Sequence, residues 1–211
     1  MADDLGFIHQ FVPAPRGANG PTLLLLHGTG GDENDLLDLG RIVAPTAALL
    51  SPRGKSLEEG APRFFRRLRE GVFDEADLIR RTNELADFVI LGAERYAIDP
   101  NRIWALGFSN GANIAAATLL LRPEVLAGAV LLRPMVPLEP EDRPDLGGKP
   151  VLIVAARHDP IVPVRETHRL SDLLESAGAA ATTHWVPGGH GLTHDDLAAT
   201  QAFLAQQFGT T

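Results

Sequence analysis

The chain has 211 residues, a length that fits one domain with a continuous core over 1–211. Its 45% hydrophobic and 22% charged residues make an ordinary globular composition, and a net charge of −8 argues against nucleic acid as a main partner, because phosphate binding needs a basic face. The absence of cysteine excludes disulfides, thiolate catalysis and cysteine-ligated metals.

In chain order, residues 1–4 are acidic and lack the positively charged, then apolar order of a signal peptide. An amphipathic segment at 7–12 is expected to pair at a sheet edge. The runs 23–26, 47–50, 103–106, 127–132, 151–155 and 182–186 read as strands, most of them too continuously apolar to have a wet face. Strands buried on both faces are what a parallel sheet covered by helices requires. Between them, 77–96 carries Leu78, Leu85, Val89 and Tyr96 at helical spacing, and 112–121 is Ala-rich. The stretch 163–177 opens on a proline at a plausible first helical position and stops before Gly178. The last helix opens on Thr193-x-x-Asp196, a variant capping box. Residues 52–74 fit neither period and are expected to lie as a long excursion over the sheet edge. They begin an arginine-rich region (Arg63, Arg66, Arg67, Arg69, Arg80, Arg81) that can form a local basic patch. The longest apolar runs, such as 112–121, are too short to span a bilayer, so a cytoplasmic protein without membrane insertion is expected. The alternation predicts an α/β three-layer sandwich with a mostly parallel sheet and no large cap domain. A homodimer is left open.

The sharpest local signal is Gly107-Phe108-Ser109-Asn110-Gly111, a G-x-S-x-G run between a predicted strand and a predicted helix. That context places the serine on a sharp strand-to-helix turn, exposed above the sheet, with a helix N-terminus beneath it. The bland alternative is a serine N-cap on a core helix. A serine hydroxyl needs a base to take its proton. Of the 7 histidines, His190 in the glycine-rich loop after the last strand is the candidate, because the base comes last in this fold's order of serine, acid, histidine. His190 and His194 are spaced like metal ligands, but no HExxH surrounds them, so no metal is expected. The acid should leave the strand between the two. Asp159 does so, with Asp142 and Asp145 as the other candidates. The tetrahedral oxyanion needs donors. The backbone N–H of Asn110 is one, and the glycine-rich loop His27-Gly28-Thr29-Gly30-Gly31 offers Thr29 as the second. Phe64 and Phe65, in the excursion, are expected to line a shallow acyl or aryl pocket with Met135, rimmed by Arg63, Arg66 and Arg67; simple packing onto the sheet edge is the alternative.

Together these motifs (LLLLHGTGGDENDL near the start, SPRG at 51–54, DPNRIWALGFSNGA at 99–112, DPIVP at 159–163 and PGGHGL at 187–192) resemble the small carboxylesterase/lysophospholipase branch of the α/β-hydrolases, which includes acyl-protein thioesterases. The resemblance covers essentially the whole chain. It implies Ser109, Asp159 and His190 as the triad, the Thr29 and Asn110 N–H groups as the oxyanion hole, no cofactor, and a small-molecule ester substrate. Many members carry Gln after the serine and Leu in the oxyanion loop, where this chain has Asn110 and Thr29, so the acyl pocket is expected to differ. Other readings are a lysophospholipase or acyl thioesterase, a lactonase similar to dienelactone hydrolase, and a non-catalytic small-ligand binder. The lactonases generally use cysteine where Ser109 stands, and a pure binder has no need of a base.

Overall fold

The computed structural model describes residues 5–15 and 20–209; residues 1–4, read above as unlike a signal peptide, lie outside them. The four leucines 23–26 show why the sheet forms. In an extended strand Leu24 and Leu26 project to one face and Leu23 and Leu25 to the other, and all four are fully buried. Each such side chain removes roughly 1.5–3 kcal/mol worth of apolar surface from water. Both faces must therefore be covered, and helices cover them.

Among the described residues the main sheet has seven strands: β1 (His9–Val12), β2 (Thr22–Leu26), β3 (Ala48–Pro52), β8 (Ile103–Phe108), β9 (Gly128–Leu132), β10 (Pro150–Ala156) and β11 (Ala180–Val186), in the order β1-β3-β2-β8-β9-β10-β11. β1 runs antiparallel to β3 at the edge, and every other pairing is parallel. Helices α2 (Glu75–Tyr96), α3 (Asn110–Leu121) and α4 (Val164–Ser176) pack on one face. On the other lie α5 (His194–Phe208) and α1 (Leu37–Val43). This is a three-layer α/β sandwich with no large cap domain among the described residues. Among the described residues no helix is long and apolar enough to cross a membrane.

Local structure differs from expectation in three places. The seven-residue α1 is absent from the sequence reading, because two turns of LDLGRIV give too little periodicity to register. Pro163 is the N-cap of α4, at φ −60° and ψ 143°, rather than its first helical residue. The excursion 52–74 is built of two hairpins, β4 (Ser56–Glu58) with β5 (Ala61–Arg63), and β6 (Arg67–Arg69) with β7 (Val72–Phe73). Asp77, buried on the first turn of α2, ties this excursion down by accepting the Arg66 N–H at 2.8 Å. The expected basic patch is largely neutralised. Arg66 pairs with Asp74, Arg67 with Glu58, Arg80 with Asp77, and Arg81 with Glu84.

Because β2, β8, β9, β10 and β11 are parallel, their carboxyl ends share one edge. The loops carrying Thr29, Ser109, Arg133, Asp159 and His190 all leave from that edge, where open α/β sheets bind ligands.

Candidate active site

Ser109 follows β8 directly and caps α3. Its backbone takes φ 52° and ψ −112°, a conformation that L side chains rarely adopt, held by the Ser109 N–H to the Leu132 carbonyl at 2.8 Å. The flanking glycines are sterically required. A Cβ on Gly107 would sit 2.5 Å from the Gly111 carbonyl oxygen, and one on Gly111 would sit 1.9 Å from the Leu26 oxygen. The turn thus lifts the serine hydroxyl clear of the sheet.

Ser109 Oγ lies 2.9 Å from His190 Nε2, and His190 Nδ1 lies 2.8 Å from Asp159 Oδ2. An ionised carboxylate only accepts, so the ring proton is on Nδ1 and Nε2 is free to accept the serine proton. The Asp159 side chain is 1% exposed. Its other oxygen, Oδ1, accepts the N–H groups of Ile161 (2.8 Å) and Val162 (3.0 Å), which fix the carboxylate plane. Asp142 and Asp145 are exposed, and Asp145 accepts the Gly147 N–H in a turn of its own. The Phe108 ring lies 5.4 Å from the imidazole, centroid to centroid. Such a group can abstract a hydroxyl proton and stabilise the imidazolium that results.

Asn110 is the first residue of α3, so its N–H is one of those a helix leaves without an internal acceptor. The Thr29 N–H has no acceptor among the described residues. The loop bearing Thr29 is pinned from both sides. Gly30 N–H donates to the Pro62 carbonyl (2.9 Å), and Arg63 Nη1 donates to Thr29 Oγ1 (2.7 Å). Below it, buried His27 accepts the Gly54 N–H at Nε2 (2.9 Å) and therefore donates from Nδ1 to the Gly28 carbonyl (2.6 Å). Burial pushes the His27 imidazole below the usual histidine pKa, against the pull of the Gly28 carbonyl. A histidine so lowered binds fewer protons folded than unfolded, so stability should fall as pH drops below about 6.5. Unfolding in urea between pH 7.5 and 5 is expected to show this slope, and His27→Gln, with an oxygen for Gly54, to flatten it. Equal slopes in the two proteins would count against a neutral His27.

A cavity of about 270 Å³ opens beside Ser109, lined also by Thr29, Asn110, Asn113, Met135 and His190. Met135 is where the sequence reading put it, held by its N–H to Asn113 Oδ1 at 2.7 Å. Phe64 and Phe65 are not. They are 1% and 0% exposed, Phe64 against the His27 ring and Phe65 against Phe73. Both sit at the junction of the two hairpins, and the Phe64 N–H donates to Asn110 Oδ1 (2.7 Å), which turns this segment inward. The phenylalanines lining the cavity are Phe73 and Phe108. Of the expected arginine rim, Arg63 and Arg67 line the cavity, while Arg66 turns to Asp74 and Asp77.

These distances coincide with a family match. The model of the phospholipase/carboxylesterase family matches residues 8–208. The chain belongs to that family. This hydrolase is 48% identical to a Bacillus cereus carboxylesterase of known structure, over 96% of this chain and 95% of that one, with a TM-score of 0.92. A carboxylesterase from Mesorhizobium loti is 33% identical over 97% of each chain, with a TM-score of 0.88. MhqD of Bacillus subtilis (strain 168) is 50% identical over 181 residues, 86% of this chain and 90% of that one.

The sequence does not single out Phe73, Phe108 and Asn113 in the cavity wall, or Arg133 behind it. Arg133, at φ 57° after β9, forms a fork with Asp196 of α5 at 2.6 and 3.0 Å, and both side chains are 0% exposed. It also donates to the Gly189 carbonyl (3.0 Å) and the Gly191 carbonyl (3.3 Å), the residues on either side of His190. Asp196 in turn closes the capping box with Thr193. This pair ties the His190 loop to the sheet and to α5. The available signal was a lone charge ending the apolar run 127–132. Arg133→Met strands a buried carboxylate and is expected to cost about 3–5 kcal/mol in urea unfolding, most of it recovered by adding Asp196→Leu. An unchanged midpoint in Arg133→Met would remove the pair from this role.

Proposed function

We propose that this hydrolase cleaves small carboxylic esters through an acyl-enzyme, with Ser109 as nucleophile, His190 as base and Asp159 as the orienting acid. The unbroken hydrogen-bond chain from Ser109 through His190 to a buried Asp159 carries this assignment. Ser109 Oγ attacks the ester carbonyl while His190 Nε2 takes its proton, and the N–H groups of Thr29 and Asn110 receive the developing oxyanion. The imidazolium then protonates the departing alkoxide, leaving the acyl group on Ser109. A water molecule, deprotonated by the same nitrogen, attacks the acyl carbonyl. The acid leaves, the proton returns to Ser109, and one ester and one water have become one acid and one alcohol.

A cavity of about 270 Å³ is smaller than the usual pocket for a drug-sized ligand. It suits a short- to medium-chain acyl group or an aryl group better than a long lipid tail. A cysteine-free chain suits a reducing compartment, and the cytoplasm is the proposed location. The direct test is labelling of the intact protein by a fluorophosphonate probe. Labelling of the wild type that disappears in Ser109→Ala is the expected result, and labelling that persists in the variant would overturn the assignment.

A further inference from the structure

Two guanidinium groups share one carboxylate at the wall of this cavity. Arg63, 4% exposed, donates from Nε to the Phe65 carbonyl (3.2 Å) and from Nη1 to Thr29 Oγ1 (2.7 Å). Its ion-pair partner is Glu58, with Nε to Oε2 at 3.3 Å. Glu58 also accepts from Arg67 Nε at 2.8 Å, and its ion pair with Arg67 brings Nη2 to 2.7 Å. One negative charge thus serves two cations, and Arg63 Nη2 has no hydrogen-bond acceptor among the described residues. Burial lowers the Arg63 pKa, but an arginine stays charged in a protein all the same.

A second group lies one helical turn beyond Ser109. Asn113 is 5% exposed, and its Oδ1 accepts the Met135 N–H, which settles which end of the amide is nitrogen. Nδ2, with two protons to give, has no acceptor among the described residues. Arg63 and Asn113 both line the cavity at Ser109, so the small surface they keep opens onto it. Neither nitrogen is sealed off, so an oxygen of a bound ligand can reach it from the cavity and accept from it. Phe73, Phe108, Met135 and Ile161 supply apolar surface to the same cavity. Glu70 is the carboxylate among the lining residues, and it is exposed to water, where its charge is screened far more than that of Arg63.

We propose that this cavity selects esters that carry a carboxylate, which is received by the Arg63 guanidinium and the Asn113 amide while the ester carbonyl lies at Ser109. This specificity rests on the esterase assignment above, and the experiment separates the two. In the full chain, kcat/KM is compared for two matched pairs of esters. Monophenyl glutarate and phenyl valerate differ by a carboxylate or a methyl at the end of the acyl chain. 3-Acetoxybenzoate and 3-tolyl acetate differ in the same way on the leaving group. Spontaneous hydrolysis is subtracted throughout.

The charged ester of at least one pair is expected to be favoured by about tenfold or more, because charge-assisted hydrogen bonds are the stronger kind. Asn113→Asp keeps the acceptor for Met135 but puts an anion where the amide nitrogen was, and it should cut that ratio by about tenfold or more. Arg63→Met should act in the same direction. It also strips Thr29 and Phe65 of a donor and can cost folding, so the asparagine variant decides. Competitive inhibition by glutarate, weakening as salt is added, is the second expected signature. Equal rates within both pairs, or a ratio unmoved by Asn113→Asp, would overturn the proposal while hydrolysis of phenyl valerate leaves the esterase standing. Hydrolysis of no ester, with no labelling of Ser109, would overturn both.

Discussion

Replacing Ser109 by alanine is expected to leave the fold intact and lower ester hydrolysis on the order of 10³-fold or more, as for members of such triads. The fold should survive because alanine keeps the Cβ, so the strained backbone at φ 52° is neither relieved nor worsened. The N–H to Leu132 is likewise retained. The one side-chain hydrogen bond lost is that from Oγ to His190. In the proposed mechanism what remains is an oxyanion site and a base without a nucleophile, so the residual rate measures binding and electrostatics alone. Circular dichroism and the thermal midpoint should match the wild type while kcat collapses. Activity within roughly tenfold of wild type, in a folded variant, would remove Ser109 from the proposed mechanism.

The groups proposed to react are more legible in the sequence than the walls around them, for a physical reason. Gly107 answers a clash within its own turn, at Gly111, and Gly111 a clash with the Leu26 carbonyl of the neighbouring strand, but both stand two residues from Ser109, so the demand is visible as a local pattern. The strand-end positions of Asp159 and His190 follow from alternation along the chain, because a parallel sheet sends every such loop to one edge. The cavity wall has no comparable signature. Phe64 and Phe65 are adjacent, so in a regular strand they would face opposite ways. Both are buried because the chain turns between two hairpins there, anchored to Asn110, 46 residues from Phe64, and to Asp77 on α2. Asn113 is an unremarkable position in an Ala-rich helix until the loop after β9 brings the Met135 N–H to it. The partners Arg133 and Asp196, 63 residues apart, meet only once β9 and α5 are both in place. Short helix α1 was missed for the opposite reason, being local but too brief to show a period.

Asp159→Asn is expected to lower kcat by about 10²–10⁴-fold while leaving His190 in place. The surroundings of the carboxylate dictate the direction. Oδ1 accepts two backbone N–H groups, from Ile161 and Val162, and an amide can satisfy both only by keeping its oxygen there. Its NH₂ is then forced onto His190 Nδ1, where the carboxylate oxygen had been an acceptor at 2.8 Å. A donor at that point holds the ring proton on Nε2, the nitrogen that must be empty to take the Ser109 proton. The hydrogen bond to the serine survives with its polarity reversed, so geometry is preserved and function is lost. A carboxylate that merely packed against the loop would show the opposite pattern, a modest rate change with a lower unfolding midpoint. Asp142→Asn and Asp145→Asn provide the contrast, since both residues are exposed and neither takes part in this hydrogen-bond chain. Each should stay within about twofold of wild type in kcat, as surface changes away from such features usually have small effects. Damage concentrated in Asp145→Asn, with Asp159→Asn near normal, would move the acid to the loop after β9 and require His190 to turn away from the partner it has here.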